Sequence, residues 1–409
     1  MSAGSKAPDL FERLVKWSAP LRAVLLETAS DKVPFLAEYL RRSAGKYRQL
    51  GVHEYAAGNF DLAVEHFEKA LLRTPHDAGL HCDLGQVYLE SSNLQSAEEQ
   101  FRKAANYDPK SGRALKSLAL TLLTRNQLSE SIYFYLRYLE QNPQDADALV
   151  NVGVAFHNQG NYEQALRYFG RAERLEPNNA LALQNRANTL YALGKFDQAA
   201  TILRRALDIE PHNYEVQRLL GMALEASGKE EETVEVYRSI LGLDPENALV
   251  HREISRLLQH AGRYQEAAEH GHRAAEISER QSDKGSVEAA YWNLGWIYYR
   301  LGDLEKSVTY SRKAIEVNPK LFPARFNLAL ALVLGGRAEE AMAEYEKGIS
   351  DLSQASDLKY YAIDDLAEAL KERKGLPAAD ETLRALRKRY DSLKKELSPR
   401  TATTSAAPV

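Results

Sequence analysis

The chain has 409 residues, of which 44% are hydrophobic, 27% charged and 9% aromatic, and its formal net charge is -4. This composition is that of an ordinary folded protein, and it excludes a fibre, a largely disordered chain and an overall positive field for nucleic acid or anionic lipid. A single cysteine, Cys82, excludes internal disulfides and multi-cysteine metal sites.

The segment 1–43 is predicted to form a helical cap; a docking helix for a partner is the alternative. Three short apolar stretches start at Leu10, Leu21 and Phe35. Acids and bases balance along the first two, which disfavours a lipid-binding helix, and no apolar run is long enough to span a membrane, so we expect no membrane insertion. The N-terminus lacks an apolar core followed by a cleavage site, and we therefore expect a cytoplasmic protein.

From residue 44 onward the sequence repeats every 34 residues. Six prolines mark the period: Pro75, Pro109, Pro143, Pro177, Pro211 and Pro245. Small residues recur before these prolines, as Gly153, Ala165 and Ala172 do before Pro177. Two apolar-periodic stretches flank a turn position, which is Gly160 in this repeat. Helices approach each other closely at small residues, so each repeat is predicted to be a hairpin of two helices.

This pattern resembles the tetratricopeptide repeat family, whose period is also about 34 residues. The resemblance implies an all-α fold, an α-solenoid of helix hairpins forming a right-handed superhelix. The register gives nine repeats within 44–355, which are 44–77, 78–111, 112–145, 146–179, 180–213, 214–247, 248–281, 288–321 and 322–355. Six extra residues, 282–287, break the phase after the seventh repeat and are a candidate hinge.

The end of the chain is predicted to cap the array. Residues 356–397 read as two helices interrupted at 375–377. The second helix has a basic surface, interpreted as a solvated face, formed by Arg384, Arg387, Lys388, Arg389, Lys394 and Lys395. Residues 398–409 are rich in Ser, Thr, Ala and Pro and are predicted to be disordered.

No motif for catalysis or cofactor binding is present in the sequence. There is no phosphate loop of the form GxxxxGK[ST], no GxGxxG after a strand, no HExxH and no CxxC. The closest histidines, His270 and His272, are two positions apart on a predicted helix and cannot face one another. We therefore expect no enzyme activity, no cofactor and no bound metal.

The resemblance places peptide-binding residues on the first helix of each repeat, at positions 2, 5, 6, 9 and 13. Position 6 is asparagine in four repeats, at Asn151, Asn185, Asn293 and Asn327. This series is similar to the asparagine ladder of the O-linked N-acetylglucosamine transferase repeats, where amides grip the backbone of an extended peptide. Leu219 and Glu253 interrupt the series, and Asn188 at position 9 joins the predicted site. The alternative is that these asparagines are ordinary solvated residues.

The most unusual groove residues surround the phase break. Positions 5, 9 and 13 of the sixth to eighth repeats include Arg218, Met222, Arg252, Arg256, Trp292, Trp296 and Arg300. A spacing of four stacks Trp292, Trp296 and Arg300 along one helix face. Because Trp and Arg dominate binding hot spots, we predict a binding cradle in which Arg252 and Arg256 attract an acidic partner segment. The alternative is that Gly271 leaves a hollow that one tryptophan fills.

These observations together predict a non-enzymatic adaptor that binds an extended or helical protein segment in its concave groove. One alternative is a self-assembling structural protein, in which terminal helices of one molecule occupy the groove of the next and give homo-oligomers. Another is single-stranded RNA binding through Trp and Arg stacking, which the net charge of -4 disfavours, so we expect no nucleic-acid partner.

Overall fold

The computed structural model describes residues 34–373 and 375–397 of the chain. Within these ranges every regular element is helical, as the 34-residue pattern predicts. The described part of the chain divides into two compact lobes, one that ends at Pro211 and one that begins at His212. The stretches starting at Leu10 and Leu21 and the tail at 398–409 lie outside the described residues.

The described part of the first lobe is a series of helix hairpins. Its helices are α1 (Pro34–Ala56), α2 (Phe60–Leu71), α3 (Ala78–Glu90), α4 (Leu94–Tyr107), α5 (Gly112–Thr124), α6 (Leu128–Gln141), α7 (Ala146–Asn158), α8 (Tyr162–Leu175), α9 (Ala180–Ala192) and α10 (Phe196–Ile209). Helix α1 runs through the predicted boundary between residues 43 and 44. Pro34 is the first residue of α1 that the structure describes.

The second lobe continues the hairpins and ends in the C-terminal helices. Its elements are α11 (Tyr214–Ala226), α12 (Glu230–Leu243), α13 (Ala248–His260), α14 (Tyr264–Arg280), α15 (Lys284–Arg300), α16 (Leu304–Val317), α17 (Phe322–Leu334), α18 (Ala338–Ser350), α19 (Ala355–Leu358), a π-helical segment (Lys359–Asp364), α20 (Asp365–Glu372) and α21 (Pro377–Leu397). The break between α20 and α21 falls at the predicted interruption. Arg384, Arg387 and Lys388 of the predicted basic surface are exposed.

The six extra residues of the phase break lengthen two helices. Helices α14 and α15 have 17 residues each, whereas α13 has 13 and α16 has 14. A short turn joins them, in which Ser282 has φ 57°. The Asp283 side chain caps α15 by accepting a hydrogen bond from the backbone N–H of Ser286 at 3.2 Å. Residues 284–287 are helical, and the interpretation of 282–287 as a hinge stays a prediction.

The predicted small positions are the places where the two helices of a hairpin touch. A Cβ atom on Gly153 would lie 2.5 Å from the ring of Phe169, and one on Gly221 would lie 2.5 Å from the ring of Tyr237. Real Cβ atoms cannot approach so closely, so the aromatic ring of the second helix rests directly on the glycine of the first. Ala165 is fully buried beside this contact.

Local signals set the start and the turn of each hairpin. Gly160 has φ 80° in its turn, a left-handed conformation that glycine adopts without steric cost. The first helices from α3 to α15 begin at polar caps, as in α7, where the Asp145 side chain accepts from the backbone N–H of Ala148 at 2.9 Å. Helix α17 instead follows Leu321 and has no side-chain cap. The proline therefore ends one repeat, and the cap two residues later starts the next.

Candidate functional site

One cleft in the second lobe has the residue types of a binding site. It has a volume of about 360 Å³. It is lined by Arg256, Gln259, His260, Trp292, Asn293, Trp296, Asn327, Tyr360, Tyr361 and Asp365. We call it the aromatic cleft. Half of these side chains belong to the site predicted from the sequence: Arg256, Trp292, Asn293, Trp296 and Asn327.

The first helices of three successive repeats and the C-terminal helices position these residues. Helix α13 provides Arg256, α15 provides Trp292 and Trp296 one turn apart, and α17 provides Asn327. The remaining wall comes from the π-helical segment and the first residue of α20. A π-helical turn contains one extra residue, and such turns are frequent at functional sites.

Both tryptophans are half-buried at the edge of a packed core. Trp292 packs against the core of the middle repeats of this lobe, and Trp296 packs against the core formed with the last helices. The Trp296 ring centroid lies 5.0 Å from that of Tyr299. Neither tryptophan fills a hollow at Gly271, because a Cβ there would lie 2.9 Å from Cδ2 of Leu294. That alternative is wrong, and both indoles line the cleft.

Arg256 is held by two carboxylates of the same lobe. Its Nε donates to Oε2 of Glu253 at 3.0 Å, and its Nη2 donates to Oε1 of Glu225 at 2.7 Å. Burial alone would lower the pKa of Arg256, but the hydrogen bonds to these glutamates raise it. Nη2 of Arg252 lies 3.6 Å from Oε1 of Glu253. Two glutamates therefore balance the charges of Arg252 and Arg256, the two arginines predicted to attract an acidic segment.

Two other predicted arginines do not line the aromatic cleft. Arg218 borders a separate cleft of about 210 Å³, and its Nη2 lies 2.9 Å from Oε2 of Glu215. The guanidinium carbon of Arg300 lies 5.1 Å from the centroid of the Tyr264 ring, a cation–π contact. Of the three residues predicted to share one face of α15, Trp292 and Trp296 line the aromatic cleft and Arg300 does not.

The predicted asparagines are divided between the lobes. Asn151, on α7, and Asn185 and Asn188, on α9, belong to the first lobe, and Nδ2 of Asn185 donates to the backbone oxygen of Leu181 at 2.9 Å. That amide is satisfied by its own helix. Asn293 lines the aromatic cleft, and its side-chain amide makes no hydrogen bond within the described part of the chain. A continuous asparagine series along the array stays a prediction.

Two polar groups of the cleft lack partners. Asn327 is only 6% exposed, and its Nδ2 has no hydrogen-bond partner among residues 34–373 and 375–397. Asp365 is half-buried, and its side-chain carboxylate forms no hydrogen bond or ion pair within the same ranges. Burial, together with Glu368 and Asp364, raises the pKa of Asp365 to about 6. Buried polar groups usually have partners, so these two are available to a ligand.

Sequence reasoning missed the wall formed by Tyr360, Tyr361 and Asp365. These residues follow the last repeat, where no period assigns a position to either face of a helix. The available signal is local: two adjacent tyrosines precede a pair of aspartates in the stretch KYYAIDD.

Sequence profiles described as tetratricopeptide repeat match almost the entire array. The matched residues are 48–107, 82–146, 134–167, 156–223, 190–257, 244–320 and 293–356. These segments overlap and together span most of the chain. The chain belongs to the tetratricopeptide repeat family. Members of this family bind protein or peptide partners and are typically non-enzymatic, so the array is a protein-interaction scaffold.

Several known proteins resemble parts of this chain. The uncharacterised protein MJ0572 of Methanocaldococcus jannaschii is 39% identical over 75 residues, which cover 18% of this chain and 87% of that protein. A tetratricopeptide repeat protein from Parabacteroides merdae aligns with 61% of this chain and 99% of its own, at 16% identity and a TM-score of 0.47. YrrB, described as a tetratricopeptide protein with an unusual peptide-binding site, aligns with 42% of this chain and 89% of its own, at 23% identity and a TM-score of 0.40.

Among residues 34–373 and 375–397, no helix combines the length and the apolar character needed to cross a bilayer. The same residues contain no group of three or more His, Cys, Asp or Glu side chains able to hold a metal ion. Cys82 is buried, and burial raises the pKa of its thiol to about 11, which disfavours the reactive thiolate.

Proposed function

We propose that this tetratricopeptide repeat protein binds a short segment of a partner protein in the aromatic cleft. The observation that carries the proposal is the half-exposed pair Trp292 and Trp296 beside the unpartnered amide of Asn327. Tryptophan side chains supply large apolar contact area and are the commonest anchors of protein interfaces. The buried amide supplies a donor for a carbonyl group.

A peptide fits this arrangement because it carries backbone carbonyl groups as well as side chains with apolar surface. Backbone carbonyls are acceptors for the Nδ2 atom of Asn327, and side chains provide surface for the indoles. The volume of about 360 Å³ lies in the range of roughly 300–1,000 Å³ typical of ligand pockets. Tyr360, which is 68% exposed, extends the aromatic surface at the rim. The self-assembly and RNA-binding alternatives stay predictions.

The test is a selection of random linear peptides on the full chain. Dissociation constants of the selected peptides are then measured for the wild type and two cleft variants, Trp296→Ala and Asn293→Ala. Trp296→Ala removes an anchor and is expected to weaken binding about tenfold or more. Asn293→Ala removes a half-buried side chain that makes no hydrogen bond within the described residues, so its stability is expected to change little.

Tyr133→Ala is the matched control, because Tyr133 is a 55% exposed aromatic residue of the first lobe. Thermal melting of every variant separates loss of binding from loss of folding. The proposal is supported when both cleft variants bind more weakly and the control does not. It is overturned when no peptide is enriched, or when enriched peptides bind the folded cleft variants as tightly as the wild type.

A further inference from the structure

The charge in the aromatic cleft is unevenly distributed. Its arginine, Arg256, is already held by Glu225 and Glu253 at 2.7 and 3.0 Å. Its carboxylate, Asp365, has no hydrogen-bond or ion-pair partner within residues 34–373 and 375–397. The unbalanced charge in the cleft is therefore negative, opposite to the charge expected from the sequence.

The surroundings of Asp365 strengthen this negative character. Asp364 and Glu368 lie close enough to disfavour its ionised form, and Arg300 is the cation that opposes them. Arg300 itself lies over the Tyr264 ring and does not line the cleft. A second positive charge brought next to Asp365 would relieve both the repulsion and the loss of hydration.

Aromatic side chains share the cleft with this carboxylate. Trp292, Trp296, Tyr360 and Tyr361 all line it. The faces of aromatic rings attract ammonium and guanidinium groups, and tryptophan does so most strongly. A long cationic side chain also has an apolar stem that packs on rings while its charged end reaches a polar group. An anionic side chain would meet Asp365 and gain nothing from the rings.

We propose that the aromatic cleft recognises a lysine or arginine side chain of the bound segment, with its cationic group paired to Asp365 and its stem against the tryptophans. The Nδ2 atom of Asn327 donates to a backbone carbonyl of the same segment. This inference rests on the proposed peptide-binding function and deepens it. It replaces the acidic partner expected from the sequence with a basic one.

The test uses the peptides selected on the full chain. Synthetic versions carry norleucine in place of each lysine, or citrulline in place of each arginine, so that shape is kept and charge is lost. Each pair is measured with the wild type, with Asp365→Asn and with Asp364→Asn. Asp364 is the matched control, because it is an exposed neighbouring carboxylate that does not line the cleft.

We expect one basic residue per peptide whose neutral replacement weakens binding about tenfold, and a similar loss with Asp365→Asn. In that variant the charged and neutral peptides should bind almost equally, whereas Asp364→Asn should keep their difference. Peptides that need Trp296 but bind equally with or without their cationic residue would overturn this inference and leave the proposed function intact. An enrichment of acidic peptides would also overturn this inference and leave the proposed function intact. An absence of any enriched peptide would overturn both the inference and the proposed function.

Discussion

The Nδ1 atoms of His251 and His270 lie 2.9 Å apart between α13 and α14. Nε2 of His251 lies 3.2 Å from the backbone oxygen of Pro245, which can only accept, so Nε2 carries the proton. Nδ1 of His251 then accepts a hydrogen bond from Nδ1–H of His270. This arrangement requires a neutral His251 ring, because a protonated Nδ1 could not accept from His270.

Acidification is therefore expected to destabilise the second lobe. Burial, with His251 beside it, lowers the pKa of His270 to about 4, and burial lowers the pKa of His251. Unfolded histidines bind protons near pH 6.5, so between about pH 6.5 and pH 4 the unfolded chain binds more protons than the folded one. The free energy of unfolding should fall as the pH drops through this range, and thermal melting at pH 7.5 and pH 5 measures the fall.

Another repeat of the chain suggests a substitution, His270→Gln, that isolates the contribution of His270 to acid destabilisation. In the second repeat the equivalent pair is His81 and Gln100, 2.8 Å apart, with Nε2 of His81 3.0 Å from the oxygen of Pro75. His270→Gln should melt near the wild-type temperature at pH 7.5. At pH 5 it should be more stable than the wild type by about 1 kcal/mol, allowing for partial exposure of the ring. An equal acid-induced drop in both proteins would contradict the assignment.

The contact between Gly153 and Phe169 predicts a steric effect in the first lobe. A methyl group on Gly153 would lie 2.5 Å from the ring, so Gly153→Ala should force the hairpin apart and destabilise the protein by about 1–3 kcal/mol. Gly170→Ala is the matched control on α8, because only the end of the Arg174 side chain comes within 4 Å. The control should be neutral or more stable by up to about 1 kcal/mol, as helix propensity dictates. Urea unfolding of both variants tests this difference, and equal stability would contradict the steric account.

The 34-residue period predicts the hairpins because the same local pattern of small and apolar residues recurs in successive repeats. Gly153 and Phe169 occupy the same repeat positions as Gly221 and Tyr237. A helix–helix contact predicted in one repeat is therefore predicted in the others as well. The same period places Trp292 and Trp296 on a first helix, and both line the cleft. Periodicity fails where the repeats end, and Asp365 belongs to that part.

Charge pairing is the other feature that the period cannot predict. Position 9 of the seventh repeat identifies Arg256 as a first-helix residue, but its charge is balanced by Glu225, 31 residues earlier. That pairing depends on the side-chain conformations of neighbouring repeats. The expected attraction for an acidic segment followed from residue type alone, whereas the structure pairs Arg256 with Glu225 and Glu253.

Tyr345 offers a test of a buried hydroxyl. Its side chain is fully buried and its Oη has no hydrogen-bond partner in the described ranges. Tyr345→Phe should therefore leave stability unchanged or raise it by up to about 1 kcal/mol, because a buried unpaired hydroxyl is unfavourable. Tyr291→Phe is the matched control, since Oη of Tyr291 donates to Oε1 of Glu279, and its loss should destabilise by about 1 kcal/mol. Chemical unfolding of the two variants should move in different directions, and a clear loss with Tyr345→Phe would show that its hydroxyl has a partner.

Asp365 is expected to stabilise the fold less than its neutral analogue does. Its pKa of about 6, raised by burial, Glu368 and Asp364, means that the ionised carboxylate opposes folding above pH 6. A rise from the ordinary value of 3.8 to about 6 corresponds to at most about 3 kcal/mol, and partial exposure reduces this to about 1 kcal/mol. Asp365→Asn should therefore raise the melting temperature by a few degrees at pH 7.5, and the gain should shrink between pH 6 and pH 4 as the wild-type carboxyl takes up its proton. A residue whose charge weakens the fold is a common feature of functional sites. A lower melting temperature for Asp365→Asn at pH 7.5 would instead identify Asp365 as a structural group.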